Sequence, residues 1–361
     1  MSAFDIAIVG AGIAGATLAA AIGDRARVLL LEAETQPGYH ASGRSAAFWS
    51  ETYGGPAIQP LTSASFAALD GGGFLSPLGS LHLGRGDADA AAADAFMAEF
   101  DGSGVALQRV DPRAIVPGLR EGWDVGVMEP SAAYIDTAGY HAHALAAARR
   151  SGARLVTDAA LTAAARGSDG RWALETPAGA FSARVLVDAA GAWADAVAAL
   201  AGVRPIGIRP YRRTVVQMAT DPAPPAGLPL VSHIAGDFYF KPEAGGRLWL
   251  SPHDETPDTA HDVQPEEIDV AIAIDRFEHV VDWRVARVER RWAGLRSFAP
   301  DRRPVYGFDA RMPGFFWFAG QGGFGIQTAP AAAAIGAALL LGDEPPAGLD
   351  PAHYAATRFP G

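Results

Sequence analysis

The sequence predicts an α/β fold, with a parallel sheet in one region and a mainly antiparallel sheet in an interleaved α+β region. Three observations predict it. The chain opens on strand, helix and strand patterns in close succession. Its 361 residues exceed what one hydrophobic core usually supports, so two regions that interrupt one another in sequence are expected. Residues of apolar type make up 49%, and the 42 Gly and 26 Pro are spread rather than pooled, as in a packed globular protein.

Asp5 to Val9 is a short apolar run, Ile13 to Ile22 is rich in Ala and Leu, and Arg27 to Leu31 is apolar again. That succession within roughly 30 residues is a βαβ unit, and a parallel sheet follows from it. Gln59 to Leu69 reads as a helix ending at the run Asp70-Gly71-Gly72-Gly73. A strand over Gly79 to Gly84 and an Ala-rich surface helix over Asp87 to Phe100 come next. Asp136 is placed to cap a helix over His141 to Arg150, followed by strands at Arg154 to Thr157 and Arg184 to Ala190. Thr214 to Met218 and Phe238 to Phe240 are strand-like runs flanking the Pro-rich loop Asp221 to Pro229, and they belong to the antiparallel region. The apolar stretch Ala331 to Leu341 falls short of the ~20 residues a bilayer span requires, so it reads as part of a buried helix from Ala329. No integral membrane segment is expected.

A formal charge of -11 and a pI near 5.3 repel nucleic acid phosphates and anionic lipid heads, which leaves a small molecule as the expected partner. The absence of cysteine excludes disulfides, thiolate metal sites and a cofactor tethered through sulfur. The first strand begins within a few residues of Met1, which leaves no room for a cleavable leader, and a cytoplasmic location is expected.

The N-terminal unit contains Gly10-Ala11-Gly12-Ile13-Ala14-Gly15, with Glu32 closing the second strand. Gly10 permits the tight turn, Gly12 lets the backbone approach a pyrophosphate, and Gly15 brings helix against strand. The helix N-terminus presents amide donors to phosphates, and Glu32 accepts from ribose hydroxyls. This is a Rossmann-like dinucleotide site. The fingerprint by itself serves NAD and FAD equally.

Four further segments separate the two. Gln36-Pro37-Gly38-Tyr39-His40-Ala41-Ser42-Gly43-Arg44-Ser45-Ala46-Ala47, Val185 to Trp193, Trp292 to Phe298, and Gly320 to Thr328 occur in the order found in the D-amino acid oxidase and glycine oxidase superfamily. The chain resembles that superfamily over nearly its whole length, and within it most closely the bacterial D-arginine dehydrogenases. The resemblance implies non-covalent FAD, held in a discontinuous domain at residues 1–74, 135–205 and 300–361. A substrate domain at 75–134 and 206–299 would roof the flavin ring. The implied cofactor contacts are Gly10, Gly12, Ile13, Ala14, Glu32, Ala33, Gly43, Arg44, Ser45, Ala46, Ala190, Gly191, Trp193, and the run Gly322, Gly323, Phe324, Gly325, Ile326, Gln327 and Thr328. Backbone amides of that last run suit the flavin N1/C2 carbonyl edge, where negative charge develops on reduction.

Hydride loss from an α-carbon requires a carboxylate held so that the Cα–H faces flavin N5, a task for a bidentate arginine. Arg296, between apolar Leu295 and Phe298, is the first candidate. By resemblance Arg212 is a second substrate arginine, Tyr239 bonds the carboxylate, and Tyr53 is a lid tyrosine near the reacting carbon. Lys241, the one lysine of the chain, shares a strand face with Tyr239 and reads as an exposed, salt-bridging residue. D-arginine dehydrogenase has a histidine where this chain has Phe48 and a guanidinium-binding glutamate where it has Ser80. Loss of that carboxylate removes a pairing typically worth ~1.5 to 3 kcal/mol, so small or apolar D-amino acids are expected over arginine. The electron acceptor on this reading is oxygen or a quinone. Two other readings share the motifs: oxidation of a 2-hydroxy acid or of a sarcosine-type amine, and a non-catalytic flavin-binding sensor or assembly protein.

Overall fold

The computed structural model describes residues 2–359. Strand Ser2–Val9 forms because its apolar residues alternate between two buried faces: Ala7 and Val9 point one way, Ile6 and Ile8 the other. The same alternation runs through Val28–Leu31 and Phe315–Ala319, so each strand carries two apolar sides and the sheet is covered on both. Ser2–Val9 lies parallel between Gly179–Asp188 and Val28–Leu31, Arg154–Val156 extends one edge, and Phe315–Ala319 joins the other end of Gly179–Asp188, also in parallel. Short antiparallel strands complete this eight-stranded sheet.

Helix Ile13–Ile22 is apolar on all sides because it is wedged between that sheet and the helices Thr137–Arg150 and Ala329–Leu341. Thr137–Arg150 starts where Asp136 caps it, its carboxylate accepting from the Gly139 amide at 2.9 Å. The Ala329–Leu341 helix stops at Gly342 in the left-handed region (φ 76). No helix among the described residues is long and apolar enough to cross a membrane.

A second sheet of ten strands is antiparallel except where Leu230–His233 runs parallel to Ser80–Arg85. Its longest pair is Arg209–Asp221 with Arg284–Phe298. One face is packed by the helix Glu267–Glu278, with Val216, Met218, Phe240, Leu248 and Leu250 meeting Val270, Ala273 and Phe277. The other face looks toward the turn that follows strand Ser2–Val9. A small three-stranded sheet, Phe48–Trp49, Ala133–Ile135 and Leu75–Pro77, lies apart from both.

Lys241 corrects an expectation. It is ion-paired to Glu243 as predicted, but its side chain is fully buried, over the Tyr134 and Trp249 rings at 4.8 and 4.3 Å. The cause is position: Lys241 lies in an interior strand directly opposite Trp249, on the face that also carries Tyr239.

Candidate active site

The chain leaves strand Ser2–Val9 through Gly10, whose φ of +100 suits glycine, and a Cβ there would lie 2.5 Å from the Ala189 carbonyl oxygen. Gly15 is tighter still: its Cβ would stand 1.9 Å from the Gly10 carbonyl oxygen and 3.2 Å from Ile8. Strand end, turn and first helical turn are therefore in backbone contact. The Ile13 amide donates to Ser42 Oγ at 2.9 Å, while the Gly12 and Ala14 amides, both lining a cavity, have no acceptor among the described residues. Glu32 accepts from the Ala11 amide at 2.9 Å and the Glu34 amide at 3.0 Å, which fixes its carboxylate at the cavity wall.

The cavity runs from this turn to the second sheet. Of the residues expected to hold a dinucleotide, Gly10, Gly12, Ile13, Ala14, Glu32, Ala33, Arg44, Ser45, Ala46, Ala190, Gly191, Trp193, Gly322, Gly323, Gly325 and Ile326 line it. Four do not. Gly43 backs onto the Gly38 carbonyl oxygen, and Phe324 turns inward against Ile58 and Phe298. Thr328 spends its hydroxyl on the Phe324 carbonyl at 2.9 Å, and Gln327 is buried in hydrogen bonds to the segment carrying Tyr53. The turning backbone of this Gly-rich loop brings Gly322 with Gly323 and Gly325 with Ile326 to the cavity and turns Phe324, Gln327 and Thr328 inward, so one contiguous run does not line one wall. Arg44 also ties the two regions together through an ion pair with Asp262 and bonds to the Val263 and Ala293 carbonyls at 2.9 and 3.2 Å.

At the far end, Phe48, Tyr53, Arg213, Val215, Tyr239, Arg296 and Gly323 come together. Arg212 does not. It faces the opposite side of its strand, where Asp269, Glu266 and Asp258 surround its guanidinium at 3.2, 2.6 and 3.6 Å. The neighbouring Arg213 is the second cavity arginine. Alternation decides this: Val216 and Met218 fill the core beneath the helix Glu267–Glu278, so Arg212 shares that side and Arg213 and Val215 take the other.

Arg213 is anchored by the Asp254 carbonyl at 2.7 Å and Glu255 at 3.4 Å, yet its Nη1 is buried without a partner among the described residues. Burial, with the Arg296 charge adding to it, lowers its pKa to about 10, which leaves it charged at neutral pH. Arg296 lies 5.6 Å from the centre of the Tyr53 ring and beside Gly323, where a Cβ would crowd both Arg296 and the Tyr53 hydroxyl. The Tyr239 hydroxyl is buried with no hydrogen-bond partner among the described residues, Ser251 standing opposite in the next strand, and burial raises its pKa above the usual phenol value. Two cations and a buried phenol thus converge on one space with donors to spare.

Phe48 closes this end, edge-on to Tyr53 at 5.2 Å and to Tyr239 at 5.9 Å. It is aimed there by Ala47, which adopts φ 54 with its amide held by Ser45 Oγ at 3.0 Å. Ser80, expected in the pocket, is outside it: the residue is buried in its strand directly opposite Glu129. A glutamate there would meet Glu129 rather than a substrate side chain.

His253 is a neighbour that no sequence pattern signalled. Its ring stands edge-on to Tyr239 at 5.8 Å, and its Nδ1 pairs with the Gly236 carbonyl. Burial, then the charges of Arg213 and Arg296, push its pKa down to about 3, so the folded protein keeps it neutral and Nδ1–H donates. An unfolded histidine titrates near ~6.5, so the unfolded chain binds the extra proton first. His253 therefore contributes its full stability above that pH and loses it as pH falls toward the folded value. Denaturant melts between pH 7 and 5 are expected to show a loss approaching ~1.4 kcal/mol per pH unit from this ring. His253 has φ 56, and His253→Asn, which tolerates that left-handed backbone, removes that part of the slope; an unchanged slope would mean the ring is solvated.

Glycine turn, buried acid at the end of the second strand and second Gly-rich loop on one cavity fit an FAD-dependent oxidoreductase. The family model for FAD dependent oxidoreductases known as DAO matches residues 5–339, and the chain belongs to that family. The hydrogen cyanide synthase subunit HcnC of Pseudomonas aeruginosa is 29% identical over 219 residues, covering 60% of this chain and 50% of that protein. Mouse mitochondrial dimethylglycine dehydrogenase is 27% identical over 252 residues, 63% of this chain and 29% of its own. This chain thus spans half or less of the length of these curated relatives. The crystal structure of glycine oxidase from Geobacillus kaustophilus superposes over 100% of both chains with a TM-score of 0.86 at 25% identity. The residues present fit FAD: the Gly12 and Ala14 amides would meet its diphosphate, Glu32 its ribose, and Gly322, Gly323, Gly325 and Ile326 its ring.

Proposed function

We propose that the protein oxidises D-amino acids with small or apolar side chains, removing hydride from Cα and leaving an imino acid that water converts to the 2-oxo acid and ammonia. FAD supplies the hydride acceptor. The observation that carries the reading is the Arg296 guanidinium, which lines the cavity with no carboxylate partner among the described residues. It is the natural seat for a substrate carboxylate, with Tyr239 and Arg213 adding donors. Tyr53 covers the reacting carbon and Phe48 forms the side-chain wall. The charge of Arg213 disfavours a cationic side chain, in keeping with the expectation against arginine. The D configuration rests on the motif likeness to D-arginine dehydrogenase. The amine proton leaves to water, since Phe48 takes the place of that enzyme's histidine, and oxygen or a quinone reoxidises the cofactor.

A second reading, oxidation of an N-methylated glycine, draws on the aromatic wall of Phe48, Tyr53 and Tyr239 and on the dimethylglycine dehydrogenase relatives. One experiment separates them. The visible spectrum of the purified holoprotein is followed anaerobically with D-amino acids, their L-enantiomers, sarcosine, dimethylglycine and 2-hydroxy acids. Bleaching by D-amino acids is the expected result. Bleaching by the methylated glycines alone would replace the first reading with the second, and a yellow protein that nothing bleaches would remove both.

A further inference from the structure

Two buried polar residues that do not line the cavity converge on the short segment that delivers Tyr53 to it. Glu129 ends the strand Trp123–Glu129 and is fully buried. One of its oxygens accepts from Ser50 Oγ at 2.8 Å and Thr52 Oγ1 at 2.6 Å, and the other from the Glu51 amide at 2.6 Å. Gln327 grips the same segment from the other side. Its Oε1 accepts from the Ser50 amide at 3.3 Å, and its Nε2 donates to the Ser50 and Tyr53 carbonyls, both at 3.1 Å, and to Thr62 Oγ1 at 2.9 Å.

A buried carboxylate is costly, and an apolar residue of similar size would fill the same volume. Here each donor aimed at Glu129 comes from the three residues before Tyr53, apart from His82, whose Nε2 stands 3.7 Å away. Burial would raise this carboxyl, but nearby His82 and the bonds from Thr52 and Ser50 outweigh it and keep it below the usual carboxylate range. The charge therefore persists, and its bonds are of the stronger, charge-assisted kind. Glu129 arrives from the second sheet and Gln327 from the loop preceding the helix Ala329–Leu341. Tyr53 is consequently referenced to both regions at once.

We infer that Glu129 and Gln327 are positioning residues that fix Tyr53 over the bound substrate beside Arg296, an inference that rests on the substrate-facing role given to Tyr53 above. The test is a double-mutant cycle on the holoprotein with Tyr53→Phe and Glu129→Gln. It is read as KM against kcat for the best substrate, and as the Kd of benzoate from the flavin difference spectrum. Tyr53→Phe is expected to weaken benzoate and raise KM by about 10-fold with a smaller change in kcat, Glu129→Gln to do nearly as much, and the double variant no more than the larger single. Should Glu129→Gln fail to fold, Thr52→Val removes one of its bonds at little cost in shape and enters the same cycle.

Fold-changes that multiply would overturn the positioning role while leaving the assignment of Tyr53 intact. A Tyr53→Phe enzyme with unchanged benzoate affinity and KM, or a wild type that binds no benzoate, would remove that assignment and this inference with it. Because benzoate binding needs no turnover, failure of every D-amino acid to reduce the flavin counts against the proposed reaction alone.

Discussion

Arg296→Met is expected to lower kcat/KM for the best amino acid substrate by about 10²- to 10³-fold, mostly through KM, because truncating one partner of a buried charge pair typically costs 2–5 kcal/mol. Methionine preserves length and apolar bulk, so the wall against Leu295 and Phe298 stays filled. The fold has little reason to suffer: Arg296 has no ion-pair partner among the described residues, and its charge depresses the pKa of Arg213, a repulsion the variant relieves. The flavin spectrum and flavin content should accordingly match the wild type, while benzoate affinity falls with substrate affinity. Arg213→Met makes the instructive contrast. Its guanidinium is bonded to the Asp254 carbonyl and faces Glu255, so its loss removes structural bonds as well as a cavity charge. Intact amino acid affinity in Arg296→Met would show that the carboxylate sits elsewhere.

What sequence discloses about this protein depends on how local the signal is. The strand, glycine turn and helix from Ser2 to Ile22 were readable because turn, cap and packing all lie within one short segment. The carboxylate end of the cavity was partly readable. Arg296 stands in a run whose neighbours are plainly apolar, whereas Arg212 and Arg213 lie in a strand buried on both sides, where Thr214-Val215-Val216 gives no contrast between faces. Only the packing of Val216 and Met218 beneath a helix assigns the direction, and that helix follows some fifty residues later in the chain. Ser80 failed for another reason. Leu75–Pro77, just before it, belongs to the small third sheet, so the neighbouring sequence says nothing of how the strand carrying Ser80 is rotated. Glu129 and His253 make contacts between distant segments that no spacing in the chain announces, and Gln327, legible only as part of the Gly-rich run, turns to the segment carrying Tyr53 instead.

Gly15→Ala is expected to yield a protein that no longer retains FAD, with cofactor Kd raised by at least about 100-fold, equivalent to ~2.7 kcal/mol. The added methyl would stand 1.9 Å from the Gly10 carbonyl oxygen, well inside van der Waals contact. Gly10 has no room to retreat, since its own Cα hydrogens already face the Ala189 carbonyl across a gap that a Cβ would close to 2.5 Å. The helix Ile13–Ile22 must therefore lift from the strand, and the Gly12 and Ala14 amides move with it. Those amides, which have no acceptor among the described residues, are the ones that would hold the diphosphate. Gly23 at the far end of the same helix supplies the control. Its backbone, at φ 64 and ψ -141, favours glycine, but a Cβ there meets nothing within 4 Å, so Gly23→Ala carries only a backbone cost of roughly 1–3 kcal/mol. That variant should lose some thermal stability and keep its flavin. The flavin-to-protein ratio of the two purified variants, followed by titration with FAD, makes the comparison. Stoichiometric flavin in Gly15→Ala would mean that the diphosphate is held elsewhere than at this helix, whereas loss in Gly15→Ala alone ties retention to the contact between helix and turn and not to helix stability.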